Sequence, residues 1–457
     1  MKLRSAALAG AALTLVSPVS AAAQSDNADP QLARLEQQLH HVQLQLADLK
    51  SAWPAGGATT NLENGRFAVA SADGTFSLSL RSLIQFDTGY FSQGRGPAGS
   101  DLNSGSNFRR AQIGLVGIAW RDWSYNFTYD FGGNGVEKNG YIYNAYIQYN
   151  GFKPFGVRFG AFAPPAGVED ATGSADLIFL ERPASADIAR GIAGAPGREA
   201  VALFAQGDRY LVSVAYTGKK TTNAATFDSQ EALVSRAAWL AVKSADFNWL
   251  LDANLSHVFK PADATAGSNS PNTFNFSNGP ELAIDANKTV NTGAIDAKAI
   301  TEWGLESAAN YGPFYAQGGY FHYDVTRRAA LPSPRFSGWY ALATWSLSGE
   351  SRRYDAGTAS FRGLKPSHPL GTDGGVGAFE IAARYSHIDL DYRPLLATGG
   401  GGITGGVQDV WTLGLNWYPT AGLRFALDYD NLQVNHVGAP MSGISANAIA
   451  ARTQISF

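Results

Sequence analysis

From Phe76 onward the chain repeats with a period of two, and no other feature limits its fold so tightly. In WSYNFTYDF, residues 123–131, Trp123, Tyr125, Phe127, Tyr129 and Phe131 fall on one side of a strand. Ser124, Asn126, Thr128 and Asp130 fall on the other. FSLSLRSLIQFD sets Phe76, Leu78, Leu80, Ile84 and Phe86 against Ser77, Ser79, Arg81, Gln85 and Asp87. Further on, Trp411, Leu413, Leu415 and Trp417 oppose Thr412, Gly414 and Asn416. Leu423, Phe425, Leu427 and Tyr429 oppose Arg424, Ala426, Asp428 and Asp430. A soluble β-sandwich also alternates, with its apolar face buried. Here Trp and Tyr cap the apolar faces, the polar faces mix charges of both signs with small residues, and tight turns alternate with long Gly-rich loops. That combination predicts an all-β protein, a closed antiparallel transmembrane barrel with aromatic girdles in outer-membrane lipid and a wet lumen. Closure is obligatory, because lipid offers no partner to an unpaired backbone group.

Candidate strands fall near 76–91, 107–119, 123–131, 141–150, 156–164, 199–206, 210–217, 232–243, 247–259, 301–311, 313–325, 335–347, 376–391, 408–418, 422–433 and 447–457. That makes about 16, an even number, as bacterial single-chain barrels require. The stretches 260–300 and 348–375 either hide a strand pair or form long excursions, so 14 and 18 stay open. At the end of the chain Ala451, Thr453, Ile455 and Phe457 share one face. A terminal aromatic strand of this kind resembles the signal read by the outer-membrane assembly machinery.

Upstream of the alternating region the pattern is different. Residues 1–23 carry Lys2 and Arg4, an apolar run from Ala6 to Val16 and small residues ending in Ala21-Ala22-Ala23, which reads as a secretory signal peptide. Within residues 24–52, Leu32, Leu35, Leu39, Val42, Leu46 and Leu49 are spaced as a heptad seam. A short periplasmic helix forming an oligomeric coiled coil is expected there, and a plain amphipathic helix on the barrel rim is the alternative. Residues 53–75 read as a linker and 76–457 as the barrel domain.

Several functions are disfavoured. The 457 residues include no cysteine, so disulfide and thiol chemistry are absent, and a net charge of −3 gives no reason to expect nucleic acid. YSHIDL offers Ser386, His387 and Asp389, but alternation puts Ser386 on the opposite face, so no catalytic triad is expected. The remaining histidines show no ligand spacing, and TGGGGITGG lacks the G-K-[ST] ending of a phosphate-binding loop. No enzyme activity, metal or cofactor is expected. A purely structural, tethering barrel would be plugged and would not conduct.

A barrel of this size leaves an open lumen that something must narrow. The longest outer loop by position, 166–197, lies between strands five and six, and a constricting third outer loop folded inward is the expected device. It holds five acids, Glu169, Asp170, Asp176, Glu181 and Asp187, against two arginines, Arg182 and Arg190. The second candidate strand contains NFRRAQIGLVG. Strict alternation puts Arg110, Gln112 and Gly114 on one face and Arg109, Ala111 and Ile113 on the other. Arg81, Arg110, Arg384 and Arg424 fall on polar faces and are expected to line the lumen, opposed by Asp87, Asp130, Glu380, Asp428 and Asp430.

FRRAQIGLVG with WRDWSYNFTYD behind it, GVEDATGS and LER in the long loop, GLESAANYGPFYAQGGY, LSGESRRYD, GAFEIAARYSHIDL and TLGLNWY occur in that order. Together they resemble the phosphate-selective porins O and P of Gram-negative outer membranes. The resemblance implies a homotrimer of sixteen-stranded barrels, each passing small inorganic anions such as phosphate through a pore narrowed by the third loop. It places Arg109 and Arg110 in an anion-attracting pore lining, with Arg109 where its strand begins or twists, and Arg182 at the constriction, where Ser174 closes the GVEDATGS motif. Three departures stand out. The family's pore lysine position is Asp170, the region around 285–300 has Lys288 and Lys298 but no arginine, and a first-strand arginine is Leu83, with Arg81 two residues earlier. These departures point to a weakly selective pore that holds phosphate poorly.

Overall fold

The computed structural model describes residues 59–457 except 64–65, 97–100, 133–139, 224–227, 265–270, 372–373 and 437–442, and upstream only the helical residues Gln37, His41 and Leu44. The signal peptide, almost all of the heptad helix and the first part of the linker lie outside the described residues. The chain divides into Met1–Gly57 and Ala58–Phe457, and the second unit contains the barrel.

Sixteen strands form the barrel. They are β1 Ser77–Arg95, β2 Gly105–Ala119, β3 Trp123–Asp130, β4 Tyr141–Tyr149, β5 Phe155–Phe162, β6 Arg198–Gln206, β7 Tyr210–Lys220 and β8 Glu231–Lys243. Then come β9 Phe247–Lys260, β10 Ala297–Tyr311, β11 Phe314–Arg327, β12 Arg335–Ser346, β13 Ala378–Tyr392, β14 Ile403–Thr420, β15 Leu423–Asn435 and β16 Ile444–Ser456. Each pairs antiparallel with the next, and β16 returns to β1 with Ile449 opposite Tyr90. The terminal Phe457 exchanges backbone hydrogen bonds with Ser82, so the seam is bonded to the last residue. A short hairpin, Thr59–Glu63 with Arg66–Ala70, adds to the edge of β1 through Ala68–Ala70.

The alternation has the expected outcome. On β14, Trp411, Leu413 and Leu415 are exposed, while Val410, Thr412 and Asn416 are buried. Among the described residues no helix is long and apolar enough to cross a membrane, so the exposed apolar band belongs to strands. Aromatic pairs edge it at both ends. Phe314–Trp345 and Phe379–Trp417 stack at 5.8 and 5.9 Å near the short turns, and Trp339–Tyr385–Trp411 form a chain of 5.1 and 4.8 Å contacts nearer the long loops. One turn is only Gly312-Pro313, where Gly312 takes φ +52°, a conformation open to glycine.

The two uncertain stretches are excursions, not strand pairs. Among its described residues, the fifth long loop, 261–296, holds the small strand pair Ser277–Asn278 with Val290–Asn291 and two isolated bridges. Residues 347–377 hold Tyr354–Asp355 with Ser360–Phe361. The second excursion is the long-excursion alternative that the sequence left open for 348–375. It lies between β12 and β13, on the side where the other connections span a few residues, and it folds into the lumen: Phe361 and Ser360 are buried and Ala359 accepts a hydrogen bond from Arg236 of β8.

Candidate functional site

Two bulges aim side chains at the middle of the lumen. Between β1 and β2 the register runs Gln85–Arg110 and then Phe86–Phe108, so Arg109 is an extra residue. A bulge breaks the two-residue period locally, and Arg109 and Arg110 are both buried, at 8% and 4% exposure, instead of pointing to opposite faces. Between β3 and β4 the register runs Thr128–Asn144 and then Tyr129–Ile142, which leaves Tyr143 as the extra residue of β4.

Loop 3, residues 163–197, crosses the lumen between these strands and the far wall. Its first helix, α1 Val168–Ala171, is tied to β10: the N–H groups of Val168 and Glu169 donate to Glu306 at 2.6 and 3.2 Å. Gly167, at φ +103°, makes this possible, since a Cβ there would run into the Glu306 carboxylate. The second helix, α2 Ala184–Ala193, buries Ile188, Ile192 and its alanines against β9 to β13. Each buried isoleucine contributes about 1.5–3 kcal/mol.

Between the helices, Ser174–Glu181 runs through a turn and a series of bends and is held by side chains of the wall. Gln85 and Gln454 donate to the Ser174 and Ala175 carbonyls, both at 3.0 Å. Arg424 donates to the carbonyls of Leu177 and Ile178, Arg452 to Leu180 at 2.7 Å and Arg384 to Glu181 at 2.7 Å. The Glu181 carboxylate accepts a two-pronged contact from Arg109, at 2.5 and 2.7 Å, and another from Arg452 at 3.1 Å. Arg452 is itself paired with Asp87 at 2.7 and 2.6 Å. Arg384 and Arg424 are therefore in the lumen but spend their donors on loop 3, and Ser174 contributes its carbonyl to the clamp.

The opposite edge of loop 3 faces β1 to β4. Arg182 donates to the carbonyls of Glu169 and Thr172 at 3.1 and 2.7 Å, and its charge also acts on Asp170. Arg110 donates to the neutral Gln85 side chain at 2.7 Å and reaches Glu181 only at 4.0 Å. Tyr143, the extra residue of β4, accepts the Gly197 N–H at the end of loop 3 on its carbonyl at 3.0 Å. Alternation does not single out Tyr143, because in YIYNAYIQY it shares a face with Tyr141, Ala145, Ile147 and Tyr149, opposite Asn144 and Gln148.

Asp170 does not stand alone at this point. It is almost fully buried and accepts from Arg190 Nε at 2.5 Å and from the Ala166 N–H at 3.0 Å. Burial pushes its carboxyl up, but the charges of Arg190 and Arg182 outweigh burial and hold it below the ordinary carboxylate value. Its charge is matched inside the loop.

The lumen is narrowed from both ends. From one side loop 5 packs Phe276 against Tyr323 and Phe336, at 5.7 and 5.4 Å, and places Glu281 beside α2. From the other, the excursion 347–377 pairs Arg352 with Glu380 at 2.7 and 2.8 Å and bonds to Asp176 of loop 3 through Gly363 N–H at 2.9 Å. A cavity of about 190 Å³ remains beside β5 to β7, lined among others by Arg158, Phe162, Asp170 and Thr358.

A family model described as phosphate-selective porin O and P matches residues 76–457. Porin O of Pseudomonas aeruginosa is 26% identical over 411 residues, which cover 86% of this chain and 91% of that protein. An uncharacterized protein of Caulobacter vibrioides is 25% identical over 414 residues, covering 89% of this chain and 79% of that one. Among solved structures, OmpT, an outer membrane protein of Vibrio cholerae, superposes with a TM-score of 0.51 at 11% identity, over 84% of this chain and 98% of that one. OprB of Pseudomonas putida gives 0.51 at 9% identity, over 84% and 95%. At such identities the structures speak for the barrel fold.

Proposed function

The chain belongs to the phosphate-selective porin O and P family, and from that premise we propose that it is an outer-membrane porin whose constriction passes small inorganic anions, phosphate among them. The observation that carries this reading is that Arg110 and Arg182, both buried beside loop 3, donate to the neutral Gln85 side chain and to the Glu169 and Thr172 carbonyls, with Arg110 no nearer than 4.0 Å to Glu181. The acids of the loop do not cancel that charge at this place. Asp170 is matched by Arg190, and Glu181 is engaged by Arg109 and Arg452 on the clamp side. A passing anion meets guanidinium groups held in position before it arrives, the arrangement that favours one sign of ion in a pore. The family's pore lysine is absent, so the reading assigns weak retention of phosphate and modest selectivity. Catalysis has no part in it.

The remaining features of the reading are a homotrimer, export by a signal peptide, assembly through the Phe457 strand and a periplasmic heptad helix. They rest on sequence pattern and on the family.

Arg81 is the cleanest place to test the electrostatics, because it is half-buried and takes no part in the loop 3 clamp. Arg81→Glu changes the wall by two charges. About 7 Å from a permeating ion in a watery pore, that amounts to about 1–2 kcal/mol. The chloride-to-potassium permeability ratio is expected to fall several-fold in a folded barrel, and an unchanged ratio would remove Arg81 from the permeation path.

A further inference from the structure

Loop 5 carries a carboxylate into a pocket built like an oxyanion site. Glu281 is 4% exposed and accepts three hydrogen bonds of three kinds. The N–H of Ala184, at the start of the ten-residue helix α2, donates to Oε1 at 2.7 Å, and the Ser386 hydroxyl donates to the same oxygen at 2.6 Å. Arg384 Nη2 donates to Oε2 at 2.7 Å. A helix N-terminus, a hydroxyl and a guanidinium converging on one point form a recognition set for a small tetrahedral anion.

Two further observations mark the carboxylate as a stand-in as well as a latch. Arg384 is 2% exposed, yet its Nε has no hydrogen-bond partner, so the donor set exceeds what Glu281 satisfies. The other donors of Arg384 reach Glu181 O at 2.7 Å and Thr412 Oγ1 at 3.4 Å, and its guanidinium lies over the Phe179 ring at 4.7 Å. Glu281 itself sits at φ +59°, in the left-handed region that a residue with a side chain occupies only when its surroundings hold it there. It is fixed by the buried neighbours Phe276 and Leu282, by Asn278 bonded to Asp187 of α2 at 3.0 Å, and by Ala283 O bonded to Asn107 at 2.6 Å. No segment of this kind is needed to close the barrel.

We infer that Arg384, Ser386 and the Ala184 amide form a second binding site for a small oxyanion, phosphate or sulfate, and that Glu281 is its tethered competitor. The inference rests on the anion-porin reading and adds to it a site between β13 and the start of α2. A carboxylate tethered by a short loop competes at an effective concentration in the millimolar range or above. The wild-type site therefore stays filled until Glu281 leaves.

The test is equilibrium dialysis of radiolabelled inorganic phosphate, and separately sulfate, against the purified, detergent-folded barrel. Wild type, Glu281→Ala, Glu281→Gln and the double variant Glu281→Ala/Arg384→Met are compared, with conductance of the same samples recorded in planar bilayers. Glu281→Ala is expected to bind phosphate at least about tenfold more tightly than wild type, Glu281→Gln to fall between them, and the double variant to lose the gain. Equal binding by folded wild type and Glu281→Ala, or a gain that survives loss of Arg384, would overturn the site and leave Glu281 a latch only. Conductance reports on the pore reading independently: a folded wild type that passes no ions would refute that reading whatever the dialysis shows.

Discussion

At the scale of single residues, the positions that matter most are those where the two-residue period breaks. Arg109 and Tyr143 are both extra residues of bulges. Strict alternation puts Arg109 and Arg110 on opposite faces, and nothing in NFRRAQ marks the inserted residue that buries both. The Asp170–Arg190 pair is equally out of sight, because the two are twenty positions apart in a loop without a period. The pair has a pH signature. Asp170 ionises below its ordinary value of 3.8, so its stabilisation of loop 3 is complete above that value and is lost as pH falls through the lower folded value. Single-channel current is expected to stay quiet from pH 7 to about 4.5 and to become noisy only in stronger acid. Asp170→Asn should show that noise already at pH 7, and a quiet Asp170→Asn channel would mean that the pair does not hold the loop.

At the scale of elements, loop 3 is held less by its own packing than by wall arginines bonded to its carbonyls. Arg424 supplies two of these contacts, to Leu177 and Ile178, and also donates to Asn416. Arg424→Ala strands both carbonyls, at a cost of about 1–3 kcal/mol each where they stay dry. The expected result is a barrel that still folds but shows larger and more variable conductance steps. Steps identical to wild type would show that the apolar contacts of α2 suffice. All sixteen strands are legible in the sequence, because a face shared with lipid and a face shared with water imprint a period on it. The excursions 261–296 and 347–377 are not, because each buries single anchors such as Phe276, Arg352 and Phe361 that recur with no period. Glu281 leaves no signal at all: a lone Glu after Gly-Pro reads as a turn.

At the scale of the whole molecule, the exposed apolar band and the closed hydrogen-bond ladder make the barrel a self-sufficient unit. It is expected to run faster in detergent gels when unheated than when boiled, and a protein soluble and monomeric without detergent would contradict the membrane reading. Deleting residues 24–52 tests what lies outside the barrel. The trimer is expected to loosen while heat-modifiability persists, because every strand keeps its neighbours. Loss of the folded barrel would make the heptad segment part of the core fold. The most direct measurement of the central claim is the reversal potential of the wild-type pore in a tenfold potassium chloride gradient across a planar bilayer. Arg110 and Arg182 beside loop 3 predict a potential of the sign set by chloride, while a potential of the opposite sign, or of zero, would contradict the proposed anion-favouring pore.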